Sequence, residues 1–189
     1  MNELHLNFLG SADWAKMLET DLLPWILEAG DLGDDVLEIG PGPGLTTDLL
    51  RDRAPHVTAV EVDDDLAAKL TERLAGTNVD VVHADATNSG LPSDRFSTAT
   101  CFSMLHHMPA PDLQDELFAE VHRILRSGGR FFGSDAVEHD VIREFHVDDI
   151  FVPVDPDTLG ARLAAAGFAA TDIKASEYEV RWMAVKALQ

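Results

Sequence analysis

The sequence predicts an α/β domain built on a doubly wound, mostly parallel seven-stranded sheet whose last strand runs antiparallel. Three observations carry this. Short β-branched runs alternate with helix-period segments from about residue 34 to 134, the rhythm of βαβ units joined by right-handed crossovers. The first run, Val36-Leu37-Glu38-Ile39, leads straight into Gly40-Pro41-Gly42-Pro43-Gly44, which glycine and proline prevent from continuing as strand. The last third abandons the alternation for two extended segments about Glu177-Tyr178-Glu179, a hairpin pattern that places the final strand antiparallel at the sheet edge.

Each element has its own signal. Trp14, Met17, Leu18, Leu22, Trp25 and Ile26 recur at helical spacing over residues 11–29, with Ser11 placed as N-cap and Pro24 set to kink or divide the helix. Asp31 to Asp35 is a polar turn, and Val36 to Ile39 the first strand. Leu45 to Arg53 resumes helical spacing, and His56 to Val60 is a β-branched strand. Asp64 to Leu74 is a helix with Leu66, Leu70 and Leu74 on one face. Asp63-Asp64-Asp65 forms its N-cap and first turn, where acids suit the dipole. Val79 to His83 and Ser97 to Phe102 are the third and fourth strands. Asp112 to Leu125 is a helix stopped by Ser127-Gly128-Gly129, and Arg130 to Ser134 the fifth strand. Pro156 to Ala166 is a helix closed by Gly167, followed by strands at about 169–176 and 180–187. The whole reads as one domain over 1–189, with 1–33 as a helical cap and 34–189 as the core.

Composition narrows the setting. The N-terminus Met1-Asn2-Glu3-Leu4-His5 has neither the basic head nor the apolar stretch of a signal peptide. No apolar run approaches the ~20 residues that span a bilayer. With Cys101 alone, in a strand expected to be buried, no internal disulfide or thiolate cage forms, so a cytoplasmic setting is expected. Only 14 Lys+Arg face 34 Asp+Glu, a formal charge of −20. With no basic patch to displace phosphate counterions, neither nucleic acid nor an anionic membrane is expected as a partner. The acidity reads either as a surface suited to a salty cytoplasm or as the mark of a GC-rich genome.

The glycine loop carries the chemistry. In open α/β sheets ligands bind beyond the carboxyl ends of the strands, where glycines let backbone approach closely. The dinucleotide pattern G-x-G-x-x-G, read from Gly40, needs glycine where Leu45 stands. Glu38 stands two residues before Gly40. A carboxylate there opposes a pyrophosphate and suits a cationic ligand such as S-adenosylmethionine, which carries an ammonium and a sulfonium.

Glu38-x-Gly40-x-Gly42-x-Gly44 resembles the first motif of class I S-adenosylmethionine-dependent methyltransferases, and the family's later landmarks come in order. Ala99 to His107 resembles its fourth strand with the L-H-H ending. Arg123 to Gly129 resembles its R-x-L-x-x-G-G turn, and Leu163 to Phe168 its L-x-x-A-G-F segment. The likeness runs from about residue 34 to 187. It implies a Rossmann-like methyltransferase fold with S-adenosylmethionine as cofactor and S-adenosylhomocysteine as product. Glu38, Gly40, Pro41, Gly42 and Gly44 would hold the methionyl part and Glu61 the ribose hydroxyls. Val62 would lie on an adenine face, Asp85 and Ala86 at the adenine edge, and the Ser103 carbonyl by the ammonium. Glu61 where aspartate is commoner, and Pro43 within the loop, are departures that leave the chemistry intact.

Methyl transfer asks little of side chains, since alignment alone supplies roughly 7–11 kcal/mol of a barrier. His107, and after it His106, are the candidate general bases at the cleft mouth; the alternative is that they shape the pocket. His139, Glu144 and His146 lack the helix-face spacing of a metal pair and read as a solvated loop, with Phe145 or His146 in reach of an acceptor, so no metal is expected. Trp14 reads as core, with closure over the cofactor as the alternative. The N-terminal segment and residues 135–153 are the material for a lid. A small-molecule acceptor is expected and a protein acceptor is possible. No Asn-Pro-Pro-aromatic sequence of the amide- or adenine-methylating relatives is present, and Cys101 is poorly placed for a covalent route to cytosine. The competing readings are a non-catalytic S-adenosylmethionine-binding protein and a nicotinamide-dependent oxidoreductase. The acceptor atom and the oligomeric state are not legible.

Overall fold

The computed structural model describes residues 2–188; Met1 and Gln189, the ends of the expected domain, lie outside the described residues. Helices α1 (Glu3–Leu9), α2 (Ala12–Met17) and α3 (Leu23–Glu28) precede strand β1 (Asp35–Ile39). Next come α4 (Leu45–Arg51), β2 (His56–Glu61), α5 (Asp64–Arg73), β3 (Val79–His83) and β4 (Phe96–Phe102). The chain continues through α6 (Pro111–Ile124), β5 (Leu125–Ala136), α7 (Asp140–Phe145), α8 (Pro156–Ala165), β6 (Phe168–Ala175) and β7 (Glu179–Lys186). The seven-stranded sheet has the order β3-β2-β1-β4-β5-β7-β6. Strands β1 to β5 pair parallel, and β7 runs antiparallel to both β5 and β6.

Period-two alternation divides the core between the two faces. Leu37 and Ile39 of β1 join Ala99, Cys101, Phe118, Val121 and Leu159 on the face covered by α6 and α8. Val36, Val57 and Ala59 join Leu50, Leu70, Leu18 and Ile26 on the face covered by α2 to α5. Every residue of β4 is buried, as expected of a central parallel strand covered on both sides. Trp14 belongs to the second core, so the N-terminal helices are part of the domain's packing.

Three expectations are corrected or refined. Strand β7 is antiparallel but lies inside the sheet, and β6 is the edge. Burial explains the order: Val180, Trp182 and Ala184 of β7 are fully buried, while β6 exposes Ala169, Ala170, Thr171, Asp172, Lys174 and Ala175. Gly133 of β5 makes this placement possible, because a Cβ there would overlap the Trp182 indole. Second, the helix is divided at Pro24 as expected, yet with no gap in helical structure. A π-helical turn, Leu18–Leu22, precedes Pro24, and the Leu23 N–H bonds to the Leu18 carbonyl, absorbing the donor that proline removes. Third, the segment that holds His139, Glu144 and His146 is not all loop but includes α7.

The topology fixes the site. Strand β1 leads outward to β2 and β3, and β4 returns to β1's other edge. The register pairs Ile39 with Val60 and with Cys101, and Glu61 with His83. The carboxyl ends of β1, β2, β3 and β4 therefore form one row at the switch point, where a crevice opens.

Candidate functional site

A cavity of about 590 Å³ occupies this crevice, within the range of small-molecule sites. Its floor is the loop after β1. Gly40, Gly42 and Gly44 have φ of +66°, +53° and +84°, the left-handed region that glycine enters freely. A Cβ on Gly40 would stand 2.5 Å from Met104 Cγ, whereas Gly42 faces open space. The loop is tied down at three points. The Gly40 N–H donates to the Val60 carbonyl at 2.9 Å, the Gly44 N–H to the Pro41 carbonyl at 2.9 Å, and the Gly42 N–H to Glu61 Oε2 at 3.1 Å.

Two carboxyls flank this floor. Glu61 is buried, and its Oε1 accepts from the N–H groups of Val62 at 2.9 Å and Asp63 at 3.0 Å. One side chain thus fixes both the glycine loop and the turn after β2. Glu38 is buried with no hydrogen-bond partner at Oε2. Burial pushes its carboxyl up to about 8, with Asp48 and Glu61 adding to the rise against Thr47 and Arg73. It is a protonated acid at neutral pH that a nearby cation would ionise.

Of the other expected positions, Pro41, Val62, Asp85, Ala86, Ser103 and His107 also line the cavity, whereas Gly44 does not, because it packs against Leu70 and Arg73 of α5. Val62 is 67% exposed, an apolar side chain held at the mouth. Asp85 Oδ1 accepts from the Thr87 N–H at 2.9 Å and hydroxyl at 2.8 Å, which orients the carboxylate after β3. Ser103 is held at φ +51° by its N–H donating to the Ser134 carbonyl at 2.8 Å, an uncommon conformation for a non-glycine residue.

An apolar part of the remaining wall is made by Leu6, Leu9, Trp14, Met108, Leu113 and Leu117. Sequence reasoning missed helix α1, which supplies Leu6 and Leu9; the available signal was Asn2, whose Oδ1 caps the His5 N–H at 2.9 Å. Trp14 is buried, as its core reading expects, and also forms part of the wall.

The histidines diverge from expectation. His106 is buried, bonds through Nδ1 to Asp135 Oδ1 at 2.5 Å, and is not among the residues lining the cavity. Asp135 stays below the usual carboxylate range although burial pushes it up, because His106 and the N–H groups of Ala136 and Leu105 hold it ionised. His107 lines the cavity, but burial, then His106 and His5, hold it down to about 3. His146 is buried rather than solvated, while His139 caps α7 and lies 3.5 Å from Glu177. Neither Phe145 nor His146 lines the cavity, which corrects their expected reach to an acceptor.

Fold and site together define a doubly wound α/β domain whose switch-point crevice is lined by Glu38, Glu61, Asp63, Asp65 and Asp85 against one lysine, Lys69. Residues 36–129 match the family described as methyltransferase domain. A probable ribosomal RNA small subunit methyltransferase A of Methanopyrus kandleri is 40% identical over 81 residues, covering 41% of this chain and 29% of that protein. A ubiquinone biosynthesis O-methyltransferase of Pseudomonas aeruginosa is 31% identical over 113 residues, covering 57% and 47%. The chain thus spans less than half the length of these curated relatives. Among solved structures, a Pyrococcus horikoshii protein superposes with a TM-score of 0.77 at 18% identity, covering 94% of this chain and 93% of that one. A Haemonchus contortus phosphoethanolamine N-methyltransferase with bound S-adenosylhomocysteine superposes with a TM-score of 0.74 at 14% identity, covering 88% and 52%.

The chain carries a methyltransferase domain over residues 36–129, on the fold of solved S-adenosylmethionine-dependent methyltransferases. The relatives also overturn one expectation. Nucleic acid is not excluded as an acceptor, because several curated relatives that match part of this chain are named as ribosomal RNA methyltransferases. Net charge is a sum over the whole surface that governs association and solubility; it does not decide what one crevice admits. Among the described residues, no helix is long and apolar enough to cross a membrane.

Proposed function

We propose that this chain binds S-adenosylmethionine in the crevice and transfers its methyl group to a nucleophilic atom of a small-molecule acceptor, leaving S-adenosylhomocysteine. The observation that carries the reading is the buried, unpartnered Glu38 Oε2 beside a glycine floor whose Gly42 faces open space. A buried carboxyl oxygen without a partner suits a ligand that brings a positive charge.

The site residues fit such a group. Glu38 and the loop Gly40-Pro41-Gly42-Pro43 would face the methionyl part, with the Ser103 carbonyl beside its ammonium. Glu61 would take the ribose hydroxyls, and Asp85 with Ala86 the adenine edge against Val62. When bound, the cofactor supplies an electrophilic methyl on a sulfonium, and in-line attack forms one bond as the carbon–sulfur bond breaks.

The chain's own contribution is alignment and exclusion of water. Leu6, Leu9, Met108 and Leu113 make the acceptor side apolar. His107 is on that side, but an imidazole held near 3 is a weak base at neutral pH, so the reading rests on positioning.

Calorimetric titration with S-adenosylmethionine, S-adenosylhomocysteine and NADH tests the ligand. The first two should bind and NADH should not; NADH binding alone would overturn the assignment. Methyl-labelled cofactor incubated with a size-fractionated extract tests the acceptor. Label in the low-mass fraction supports the reading. Label in RNA supports the second one, an RNA base as acceptor, which the named ribosomal RNA relatives favour. No label in any fraction, with binding intact, would point to a non-catalytic cofactor-binding protein.

A further inference from the structure

We propose that His5, His106, His107 and His146 form a binding site for one divalent first-row transition-metal ion of the zinc class. The four side chains come from three separated places, helix α1, the turn after β4 and the end of α7, yet one ring nitrogen from each lies within 4.8 Å of all the others. A tetrahedral zinc site with bonds of about 2.0–2.1 Å places its ligand nitrogens about 3.3 Å apart, so closing on an ion asks the rings to draw together and the His5 ring, now parallel to His106 at 6°, to turn.

The nitrogens are otherwise unexplained. His5 Nδ1, His106 Nε2, both nitrogens of His107 and His146 Nε2 are buried with no hydrogen-bond partner among the described residues. No ring of the four bonds to another. Leaving so many imidazole nitrogens buried and unpaired is unfavourable, and a shared cation satisfies all four rings at once.

The surroundings are those of a metal site. Asp135 Oδ1 accepts from His106 Nδ1 at 2.5 Å, and the Ile142 carbonyl accepts from His146 Nδ1 at 2.7 Å. Both partners are acceptors, so each ring keeps its Nε2 lone pair for the cluster. This is the carboxylate– or carbonyl–histidine–metal arrangement. Asp149 Oδ2 lies 3.8 Å from His107 Nδ1, so two carboxylates stand near four neutral ligands and balance a dication. Phe151 stacks on His146 at 4.5 Å between ring centroids and closes one side. Four protein ligands and no open position mark a structural site, and imidazole donors without a thiolate suit zinc, cobalt or nickel. The ion would fasten α1 to the body of the domain, next to the cavity that Leu6 and Leu9 line.

The test uses the full chain without a histidine tag, freed of metal by a chelator and titrated with Zn²⁺ and with Co²⁺. One Zn²⁺ per chain, the visible ligand-field bands of tetrahedral Co²⁺, and a raised Tm with Zn²⁺ are expected. H5Q and H146Q, checked for folding by circular dichroism, should each weaken Zn²⁺ binding at least tenfold and lose the Co²⁺ bands. The neighbouring D135N should weaken it about 10- to 100-fold. If a variant fails to fold, the wild-type Tm with chelator against Zn²⁺ decides. A folded wild type that binds no Zn²⁺ and shows no Co²⁺ bands would overturn the site, as would a double H5Q/H146Q variant that binds Zn²⁺ as tightly as wild type. S-adenosylmethionine titration of the same samples keeps the two readings separate: cofactor binding without metal sinks only the metal site, and metal without cofactor only the proposed activity.

Discussion

If Glu38 is a protonated acid awaiting a cation, cofactor binding must expel its proton. With the carboxyl at about 8, about nine in ten molecules carry that proton at pH 7. Binding a ligand whose positive charge ionises Glu38 should therefore release about 0.9 proton at pH 7. Titration calorimetry in two buffers of different ionisation enthalpy measures this directly, because the observed heat then differs by the number of protons times the enthalpy difference. E38Q should abolish the difference. The same shift governs stability. Glu38 rises from an ordinary 4.5 to about 8 on folding, so between those values the folded state binds more protons than the unfolded state, and stability falls as pH rises. The loss by pH 7 is about 3 kcal/mol at most, from 2.5 units at 1.36 kcal/mol each. Urea unfolding of the ligand-free chain at pH 5.5 and 8 should show the fall, and E38Q should flatten it. Equal binding heats in both buffers, or proton release unchanged in E38Q, would refute the reasoning.

Three further substitutions probe the neighbouring structure. E61Q exchanges a carboxylate that accepts N–H bonds from Gly42, Val62 and Asp63 for an amide with one acceptor oxygen. A charged hydrogen bond is worth about 1.5–3 kcal/mol, so S-adenosylmethionine affinity should drop about 10- to 100-fold by calorimetry; an unchanged affinity would mean that the glycine loop does not depend on Glu61. V62A removes a side chain 67% exposed in the free protein. Its Tm should stay put while cofactor affinity falls by on the order of 1 kcal/mol, and a lowered Tm with affinity intact would contradict its role as a contact. G133A places a methyl group where the Trp182 ring lies. Overpacking of this kind costs typically 1–3 kcal/mol, and a smaller loss in urea unfolding would show that the β5–β7 pair repacks easily.

The sheet was legible because its signals are local. Alternation, helix period and strand-end glycines are read within a few residues, and Glu38, Glu61, Asp85 and Ser103 stand out as polar residues at or just past the carboxyl ends of apolar strands. The position of β7 was not legible. A hairpin pattern specifies that β6 and β7 pair, but not which one meets β5. That choice is made by Trp182 settling over Gly133, a contact between residues far apart in sequence. Helix α1 was missed for a related reason: seven residues give less than two full turns, too few for a periodicity to emerge. The histidines show the limit most plainly. His139 and His146 are close in sequence and were read together, yet the structure sends one to cap α7 and the other inward to meet His5.

Helix α1 joins the two proposals. A helix this short does not hold itself together in water, so its place over the crevice must come from tertiary contacts. Some are direct: the Asn2 N–H donates to Asp149 Oδ2 at 2.6 Å, Asn2 Nδ2 donates to the Phe145 carbonyl at 2.8 Å, and Leu9 is buried in the core. His5 adds contacts with the rings of His106, His107 and His146. Unbridged, those rings leave polar nitrogens unpaired, so they hold the helix weakly. Bridged by an ion, they anchor it. The next residue, Leu6, and then Leu9 line the cavity, so whatever fixes His5 also fixes part of the wall that an acceptor would meet under the proposed function. The imidazole cluster is therefore placed to set how closed the acceptor side is without touching the cofactor floor, which rests on Glu38 and Glu61.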